Sequence, residues 1–241
     1  MNKTQKKERN ENLYKALPTA VKERLPKYYR TLRTLIGDDI LRTRSADLAR
    51  FMKITPSQVR QDFSYLGGIG NQGYGYNVKD LYSAIGNVIG IPNNYSAVII
   101  CRRAGFALAL ASDQCFSTRG VNLKKIFTDD SGDFTPPDPD KYKLPNIAER
   151  STANNDPAYL RAANYCRENR IDIAVLACDK SETDAAAICL ADADIKGIWN
   201  FSGKEIETSK KNICIADMNM PDILLGLCCE ITNKNIPGTA K

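Results

Sequence analysis

The segment TPSQVRQDFSYL at residues 55–66 carries side chains whose chemistry and spacing are suited to reading DNA. Val59, Phe63 and Leu66 recur at helical spacing, so one face of a helix over this segment should pack against a core. Amide, hydroxyl and guanidinium groups on the opposite face would then be available to contact base edges in the major groove. We expect that face to hold Ser57, Gln58, Arg60, Gln61, Ser64 and Tyr65.

Local signals make this helix the second of a helix-turn-helix. Thr55, Pro56 and Gln58 offer an N-cap, a proline at the first helical position and a capping-box partner. Ser45 can cap a shorter preceding helix, SADLARFM, and its backbone N–H could contact a phosphate. For Arg60, contact with a base and contact with a phosphate are both open.

A second chemical candidate is Cys101, which Arg102 and Arg103 follow directly. Positive charge and a helix N-terminus both lower a thiol pKa, so Cys101, with vicinal Cys228 and Cys229, suggests a thiol switch as one hypothesis. We expect the cysteines of predicted strands and apolar helix faces to be inert core residues, namely Cys166, Cys178, Cys189 and Cys214. The chain has eight Cys and no His, which excludes His-based catalysis, and no cysteine spacing indicates a metal site.

Positive charge is concentrated in the first part of the chain. Residues 1–90 hold 16 Lys or Arg against 8 Asp or Glu, a net charge of +8, and the remaining 151 residues hold 18 against 20, a net charge of −2. Clustered cations supply much of the affinity of proteins for nucleic acid. A solvated basic tail would explain the residues near the N-terminus equally well. It does not explain those within the predicted fold, which include Arg42 and Arg44 as candidates for phosphate contact.

The elements of the basic part form a predicted DNA-binding domain at residues 18–90. Residues 1–17 are expected to be a disordered basic arm, and a helix follows from about 19 to 37. After the helix-turn-helix, five glycines between 67 and 75 predict a tight β-hairpin, the wing of a winged helix-turn-helix. A last helix is expected at 77–90.

From residue 91 the pattern changes to short apolar runs that alternate with helical stretches. Such alternation predicts an α/β domain with a parallel sheet at residues 91–217. Its strands are expected in SAVIIC, LKKIFT, IDIAVLAC, IKGIWNFSG and NICIADM, and its helices at 104–116, 156–169 and 181–193. Residues 218–241 should form a C-terminal helix and tail that pack on a partner. Neither a membrane span nor a secretory signal is recognisable, so a cytoplasmic location is expected.

Four stretches of this chain resemble the Rex family of redox-sensing transcriptional repressors. They are RLPKYYRTLRTL at 24–35, TPSQVRQDFSYLGGIGNQGYGYNVKDL at 55–81, RIDIAVL at 170–176 and IKGIWNFSG at 195–203. The resemblance implies a homodimeric repressor with an N-terminal winged helix, a Rossmann-like domain and a C-terminal dimerisation helix that is domain-swapped. It also implies that NADH or NAD controls binding to a palindromic operator.

The resemblance also identifies departures in the DNA-binding part. Gln61 stands where the family usually has Arg or Lys, and Gln72, near Tyr74 in the wing, stands where the family often has Arg. A glutamine amide pairs with adenine whereas Arg and Lys favour guanine, so an operator altered from G·C towards A·T is expected at that position. Gln61 reaching only a phosphate or water is the alternative.

The dinucleotide turn departs further from the family pattern. Its glycine-rich sequence aligns with Ile100, Cys101, Arg102, Arg103, Ala104 and Gly105, so only the third glycine remains. Thr128, followed by Asp129 and Asp130, stands where an acidic residue should hold the ribose. Either Arg102 and Arg103 attract another anion at the helix N-terminus, or the pocket is filled and sensing is lost.

The resemblance implies a switch in which the C-terminal segment contacts the first helix, and by position the pair is Arg30 and Asp217. Two further function classes are alternatives to a repressor. An NAD-dependent oxidoreductase is disfavoured by the altered turn and by the lack of a clear acid/base set. A partner-binding protein that has lost operator binding is separated from a repressor only by the polar face of residues 55–66.

Overall fold

A computed structural model describes residues 3–67, 75–112, 116–136, 156–207 and 212–234. The chain divides into two units, Met1–Asn93 and Asn94–Lys241. The sequence places the end of the DNA-binding domain between residues 90 and 91, three residues before this division. Among the described residues, no helix is long and apolar enough to cross a membrane.

Five helices and one small sheet make up the described part of the N-terminal unit. They are α1 (Lys3–Ala16), α2 (Thr19–Gly37), β1 (Arg42–Thr43), α3 (Ser45–Met52), α4 (Pro56–Ser64), β2 (Tyr76–Asn77) and α5 (Val78–Val88). Along α2, apolar residues at helical spacing form a buried stripe that faces the other helices. The predicted helix at 19–37 is therefore confirmed.

The helix-turn-helix forms because the inner faces of α3 and α4 share one core. Leu48, Ala49, Val59, Phe63 and Leu66 are all buried in the same apolar cluster. Phe63 lies at its centre, 4.9 Å from the ring of Tyr28 and 5.0 Å from the ring of Tyr76, measured between centroids. The predicted packing of the two helices is confirmed.

Two local expectations in this unit were wrong. Residues 3–16 of the predicted disordered arm form helix α1 instead, because this segment is rich in helix-favouring Lys and Glu and has no glycine or proline. Leu17 is buried in the core of the unit. Ser45 does not cap α3 either, because Arg44 is the N-cap residue and the Ser45 hydroxyl accepts a hydrogen bond from Arg60 instead.

One edge of the predicted wing is visible. Strands β1 and β2 pair antiparallel, with Thr43 opposite Tyr76. Gly75 precedes β2 with a φ of +74°, and a Cβ there would lie 2.7 Å from the Thr43 carbonyl oxygen, so this position requires glycine. The tip of the wing, including Gln72 and Tyr74, lies outside the described residues.

The second unit is an α/β domain, as predicted. Its strands are β3 (Tyr95–Cys101), β4 (Val121–Thr128), β5 (Gly132–Phe134), β6 (Ile173–Ala177), β7 (Gly197–Asn200) and β8 (Cys214–Asp217). They form one sheet in the order β5-β4-β3-β6-β7-β8, parallel except for the antiparallel edge strand β5. Its helices are α6 (Ala104–Ser112), α7 (Ala158–Asn169), α8 (Thr183–Asp192) and α9 (Met220–Lys234).

All five predicted strands occur, because parallel strands covered on both faces read as short continuous apolar runs. The strand order places β4 and β6 on opposite sides of β3, so the order reverses at β3. In sheets of this kind, ligands bind at the carboxyl ends of the strands at such a reversal. Strand β5 was not predicted, since its sequence, GDF, lies in a polar region that reads as a loop. Residues 137–155, which follow β5 in this polar region, lie outside the described residues.

The C-terminal helix α9 presents a broad apolar surface to solvent. Its large exposed hydrophobic residues are Met220, Ile223, Leu224, Leu225, Leu227 and Ile231. A helix whose apolar side chains are exposed in one chain is typical of an interaction surface. This agrees with the prediction of a helix that packs on a partner.

Candidate DNA-binding surface and dinucleotide turn

The N-terminus of α4 is built as the sequence indicated. The Thr55 hydroxyl accepts a hydrogen bond from the Gln58 backbone N–H at 3.2 Å, and Pro56 begins the helix. The side chain of Gln58 does not complete a capping box, because its amide donates to Asp62 one turn further along. The helix therefore has an N-cap but not the reciprocal partner expected from the sequence.

The outer face of α4 carries most of the predicted DNA-contacting side chains. Ser57, Gln61, Ser64 and Tyr65 are exposed, and the Ser64 hydroxyl donates to the Gln61 carbonyl at 2.7 Å. Arg60 is also exposed and donates to the Ser45 hydroxyl at 3.2 Å, which links α4 to the start of α3. Because it contacts Ser45, the Arg60 guanidinium lies beside one of the predicted phosphate contacts. Arg42 and Arg44 are exposed on the segment that leads into α3.

Gln58 differs from the other polar residues of α4 because its side chain is partly buried. It is half-buried, and its amide nitrogen lies 3.0 Å from a carboxylate oxygen of Asp62. The side chain was expected to point away from the core, and the structure instead places its amino group on a buried acid. Its predicted contact with a base stays a prediction.

Asp62 is the residue that sequence reasoning missed. Its side chain is fully buried, and Arg24 of α2 donates to both carboxylate oxygens, at 2.7 and 2.8 Å. The Tyr28 hydroxyl donates a third hydrogen bond at 2.9 Å, so with the bond from Gln58 the carboxylate accepts four hydrogen bonds from three residues. A signal existed in the sequence: Asp62 adjoins Phe63 and follows Val59 by three residues, so it lies near the apolar face, where a carboxylate needs partners.

The protonation state of Asp62 follows from these contacts. Burial by itself raises the pKa of the carboxyl group, but hydrogen bonds from Arg24, Gln58 and Tyr28 outweigh it and leave the pKa below its usual value. The pKa of Tyr28 is strongly raised, mainly because the hydroxyl is buried and also because it donates to the Asp62 carboxylate. Asp62 is therefore ionised and Tyr28 neutral at physiological pH.

In the second unit, the turn between β3 and α6 holds the altered dinucleotide motif. Arg102 and Arg103 are exposed, and the Arg102 guanidinium forms an ion pair with Asp179, which follows β6. The Arg102 backbone N–H also donates to the Ala177 carbonyl oxygen at 3.3 Å. A side chain that spans from β3 to β6 lies across the crevice where a dinucleotide crosses sheets of this topology.

The N-terminus of α6 is occupied by an acid from the protein itself. The Asp130 carboxylate accepts a hydrogen bond from the Ala104 backbone N–H at 3.0 Å, and the Asp130 N–H donates to the Arg102 carbonyl at 3.3 Å. A bound pyrophosphate uses the N–H groups at this end of a helix. Of the two interpretations left open by the sequence, filling of the site by protein groups is the one that these contacts favour.

The expected ribose site is also used internally. Thr128 is fully buried, and its hydroxyl donates to the Gly132 carbonyl at 2.8 Å within the turn between β4 and β5. Asp129 accepts from the backbone N–H of Ala158 at 2.7 Å, at the start of α7. Neither carboxylate that follows β4 is therefore directed to a ribose, and these residues do not fit the dinucleotide that the fold implies.

The prediction of a reactive Cys101 was wrong. The thiol is buried, and burial raises its pKa, because the charged thiolate would lose its hydration. Its sulfur donates to the Arg103 carbonyl at 3.2 Å, and both neighbouring arginine side chains are exposed. Cys166 and Cys178 are buried as expected, but Cys189 is half-buried and Cys214, on an edge strand, is exposed.

The predicted switch residues lie in different units. Arg30 is exposed on α2, and Asp217 ends β8, where its carboxylate accepts a hydrogen bond from the Asn200 side chain at 2.6 Å. Asn200 is itself buried and donates to the Lys204 carbonyl as well. Contact between Arg30 and Asp217 stays a prediction.

Comparison with known proteins covers nearly the whole chain. A family model described as "Putative DNA-binding protein N-terminus" matches residues 16–64. The redox-sensing transcriptional repressor Rex of Clostridium botulinum strain Hall is 35% identical over 217 residues, which cover 90% of this chain and 96% of that protein. The protein of the same name from Clostridium perfringens strain SM101 is 33% identical over 224 residues, covering 92% and 98%.

Two solved structures of a related repressor, RSP, match the fold. RSP in complex with β-NAD+ and operator DNA has a TM-score of 0.71 and 30% identity, and covers 93% of this chain and 99% of that one. RSP in complex with β-NADH has a TM-score of 0.71 and 27% identity, covering 92% and 97%.

Proposed function

From the premise that this chain belongs to the Rex family of redox-sensing transcriptional repressors, we propose that it binds operator DNA through α4 and that its response to NADH and NAD is lost or altered. The observation that carries DNA binding is the two-faced character of α4. Its inner face is buried in the core, while Gln61, Ser57 and Tyr65 extend into solvent. A related repressor with the same fold is known in complex with operator DNA.

The other predicted contacts surround this face. Arg42, Arg44 and Arg60 are exposed cations of the same unit and are suited to phosphate contact, which positions a protein on the duplex. Gln61 then supplies sequence readout with a preference for adenine. Gln72 and Tyr74 of the wing are further proposed contacts.

The altered dinucleotide response rests on the turn after β3. Ile100 and Arg102 replace two glycines, Arg102 pairs with Asp179, and Asp130 accepts the hydrogen bond of the first α6 amide. A dinucleotide would have to break both contacts and displace the Arg102 side chain. No replacement effector is required, and the protein would then bind its operator whether NADH or NAD is present.

The protein acts as a homodimer in this proposal, in the cytoplasm, and is not an enzyme. The exposed apolar residues of α9 support a partner surface, since burial of each large side chain is worth about 1.5–3 kcal/mol. A dimer has two α4 helices and therefore reads a palindromic site. Contact between Arg30 and Asp217 is proposed to relay changes between the two units.

The test is selection of operator DNA from a palindromic library, followed by affinity measurements over a range of salt concentrations with and without NADH and NAD. We expect selective binding that weakens with salt, as phosphate contacts require, and that neither nucleotide changes. Gln61→Ala, on the exposed face, should reduce selectivity but retain salt-dependent binding. Absence of any selected sequence would refute operator binding, and release by micromolar NADH would refute the altered response.

A further inference from the structure

The contact between Gln58 and Asp62 restricts how the first turn of α4 can present itself to a base. Gln58 lies three residues into the segment that begins at Thr55, and the N-terminal residues of a recognition helix are those that contact base edges. Its side chain is only half-buried, so one part faces Asp62 and another faces outward. Which chemical group faces outward determines which base can be bound.

Chemistry settles the orientation of this amide. An ionised carboxylate only accepts hydrogen bonds, so the group of Gln58 that lies 3.0 Å from Asp62 must be the amino group. Arg24 and Tyr28 donate the other three hydrogen bonds to the same carboxylate, which keeps it ionised and fixed in place. Within the described residues, the carbonyl oxygen of the Gln58 amide has no hydrogen-bond donor.

We propose that Asp62 is a positioning residue that makes Gln58 a hydrogen-bond acceptor, so that Gln58 selects a base carrying a major-groove amine. This inference rests on the proposed binding of α4 to operator DNA. The amines in question are N6 of adenine and N4 of cytosine, whereas guanine and thymine present only acceptors at the corresponding positions. Repulsion between two acceptors would then disfavour guanine and thymine.

The proposal differs from the usual reading of adenine by glutamine. In that pairing the amide oxygen accepts from N6 while the amino group donates to N7, so both atoms of the base matter. Here one of the two N–H groups of the amide is held by Asp62, so we expect recognition by the amide oxygen, with no contribution from N7. The two modes are therefore separable by removing one base atom at a time.

The first experiment identifies the base pair that Gln58 contacts. Operators are selected from a palindromic library with the wild-type protein and with Gln58→Met, which keeps the length of the side chain but removes its polar atoms. We expect one symmetric position to lose its preference in the variant, while the positions read by other residues keep theirs. The wild-type preference at that position should be adenine or cytosine.

The second experiment uses only the wild-type protein and so does not depend on the folding of a variant. At the identified position, the base is replaced by an analogue that lacks the exocyclic amine, which should weaken binding about three- to tenfold, the range for one hydrogen bond. Where the base is adenine, replacement by 7-deazaadenine should leave affinity unchanged. Equal losses from both replacements would indicate bidentate contact and overturn the proposal.

A third measurement tests the role of Asp62. Asparagine at this position can donate to the Gln58 oxygen, which releases the amide to present its amino group, so Asp62→Asn should move the preference towards guanine or thymine at that position alone. The matched control is Asp47→Asn, a change on an exposed acid of α3, which should leave all preferences as in the wild type. If Asp62→Asn retains every wild-type base preference, the positioning role is contradicted. If the wild type selects no operator at all, DNA binding itself is contradicted.

Discussion

Arg44 and Gln61 of the N-terminal unit extend into solvent, whereas Arg102 and Arg161 of the sheet unit turn back onto Asp179 and Asp133. In the first unit, the partly buried Arg24 and the fully buried Asp62 pair with each other and hold α4, whose outer face stays exposed. In the second unit, carboxylates of the protein bind the Arg102 guanidinium and the backbone N–H groups that lie near the ends of β3 and β4. Exposed polar groups can bind a ligand directly. Polar groups that already form hydrogen bonds or ion pairs within the protein must break these contacts before they can bind one.

The largest expected effect tests the buried pair. Arg24→Ala leaves the ionised Asp62 without its main partner, and removal of one member of a buried pair costs about 3–5 kcal/mol. Hydrogen exchange followed by mass spectrometry should show faster exchange in α2 and α4, with the sheet unit unchanged. Arg50→Ala removes the exposed pair with Asp47 and serves as the control, with an effect of about 0–1 kcal/mol. Equal effects of the two variants would contradict a structural role for Arg24.

A smaller effect is expected on the outer face of α4. Gln61→Lys replaces an amide by a cation that favours guanine O6 and N7, so the preferred base at its position should change from adenine to guanine by about 1–3 kcal/mol, or roughly 5- to 150-fold. Operator selection and competition binding measure the change. An unchanged preference would show that Gln61 contacts only phosphate or water.

In the sheet unit, Asp130→Ala should lower the free energy of unfolding by about 1 kcal/mol, because the first amide of α6 loses its acceptor. Urea unfolding followed by the fluorescence of Trp199, the single tryptophan, reports on this unit. Glu168→Ala, an exposed change on α7, should alter stability by less than about 0.5 kcal/mol. If Asp130→Ala is no more destabilising than this control, the site after β3 is not held by Asp130.

The smallest change is expected on mild acidification of the N-terminal unit. The pKa of Asp62 is lowered in the folded state, so its contribution to stability is fully present above the unfolded value of about 3.9. That contribution is lost as the pH falls below this value and through the folded pKa. Hydrogen exchange in α4 between pH 5 and 3 should therefore show increased opening once intrinsic rates are taken into account. The dependence should be weaker in Asp62→Asn.

Local patterns were sufficient to predict most elements of this fold. The helical spacing of Val59 and Phe63, the N-cap Thr55 and the apolar runs of the five predicted strands are all encoded within a few neighbouring residues. The boundary between the two units was predictable for the same reason, since the pattern changes near residue 91. Where periodicity was strong the structure agrees with the prediction, whereas of the cap signals the Thr55 N-cap is present but the Ser45 cap and the Gln58 capping-box partner are not.

The site was less predictable because its contacts join distant residues. Arg24 reaches Asp62 across 38 positions, and nothing in the sequence near either residue indicates the partner. The contact of Asp130 with Ala104 spans 26 positions, and that of Arg102 with Asp179 spans 77. The expected low pKa of Cys101 failed similarly, since position beside arginines is visible in the sequence but burial is not.

Under the proposed loss of the dinucleotide response, the turn after β3 limits the substitutions by which that response could be regained. Glycine at position 102 would remove the guanidinium from the crevice but leave Asp130 on the Ala104 amide, and glycine at 100 would replace a fully buried isoleucine of β3. Each step would cost stability before the nucleotide could bind and compensate for the loss. Natural selection would therefore meet a series of disadvantageous intermediates, and the present state of this turn is difficult to reverse.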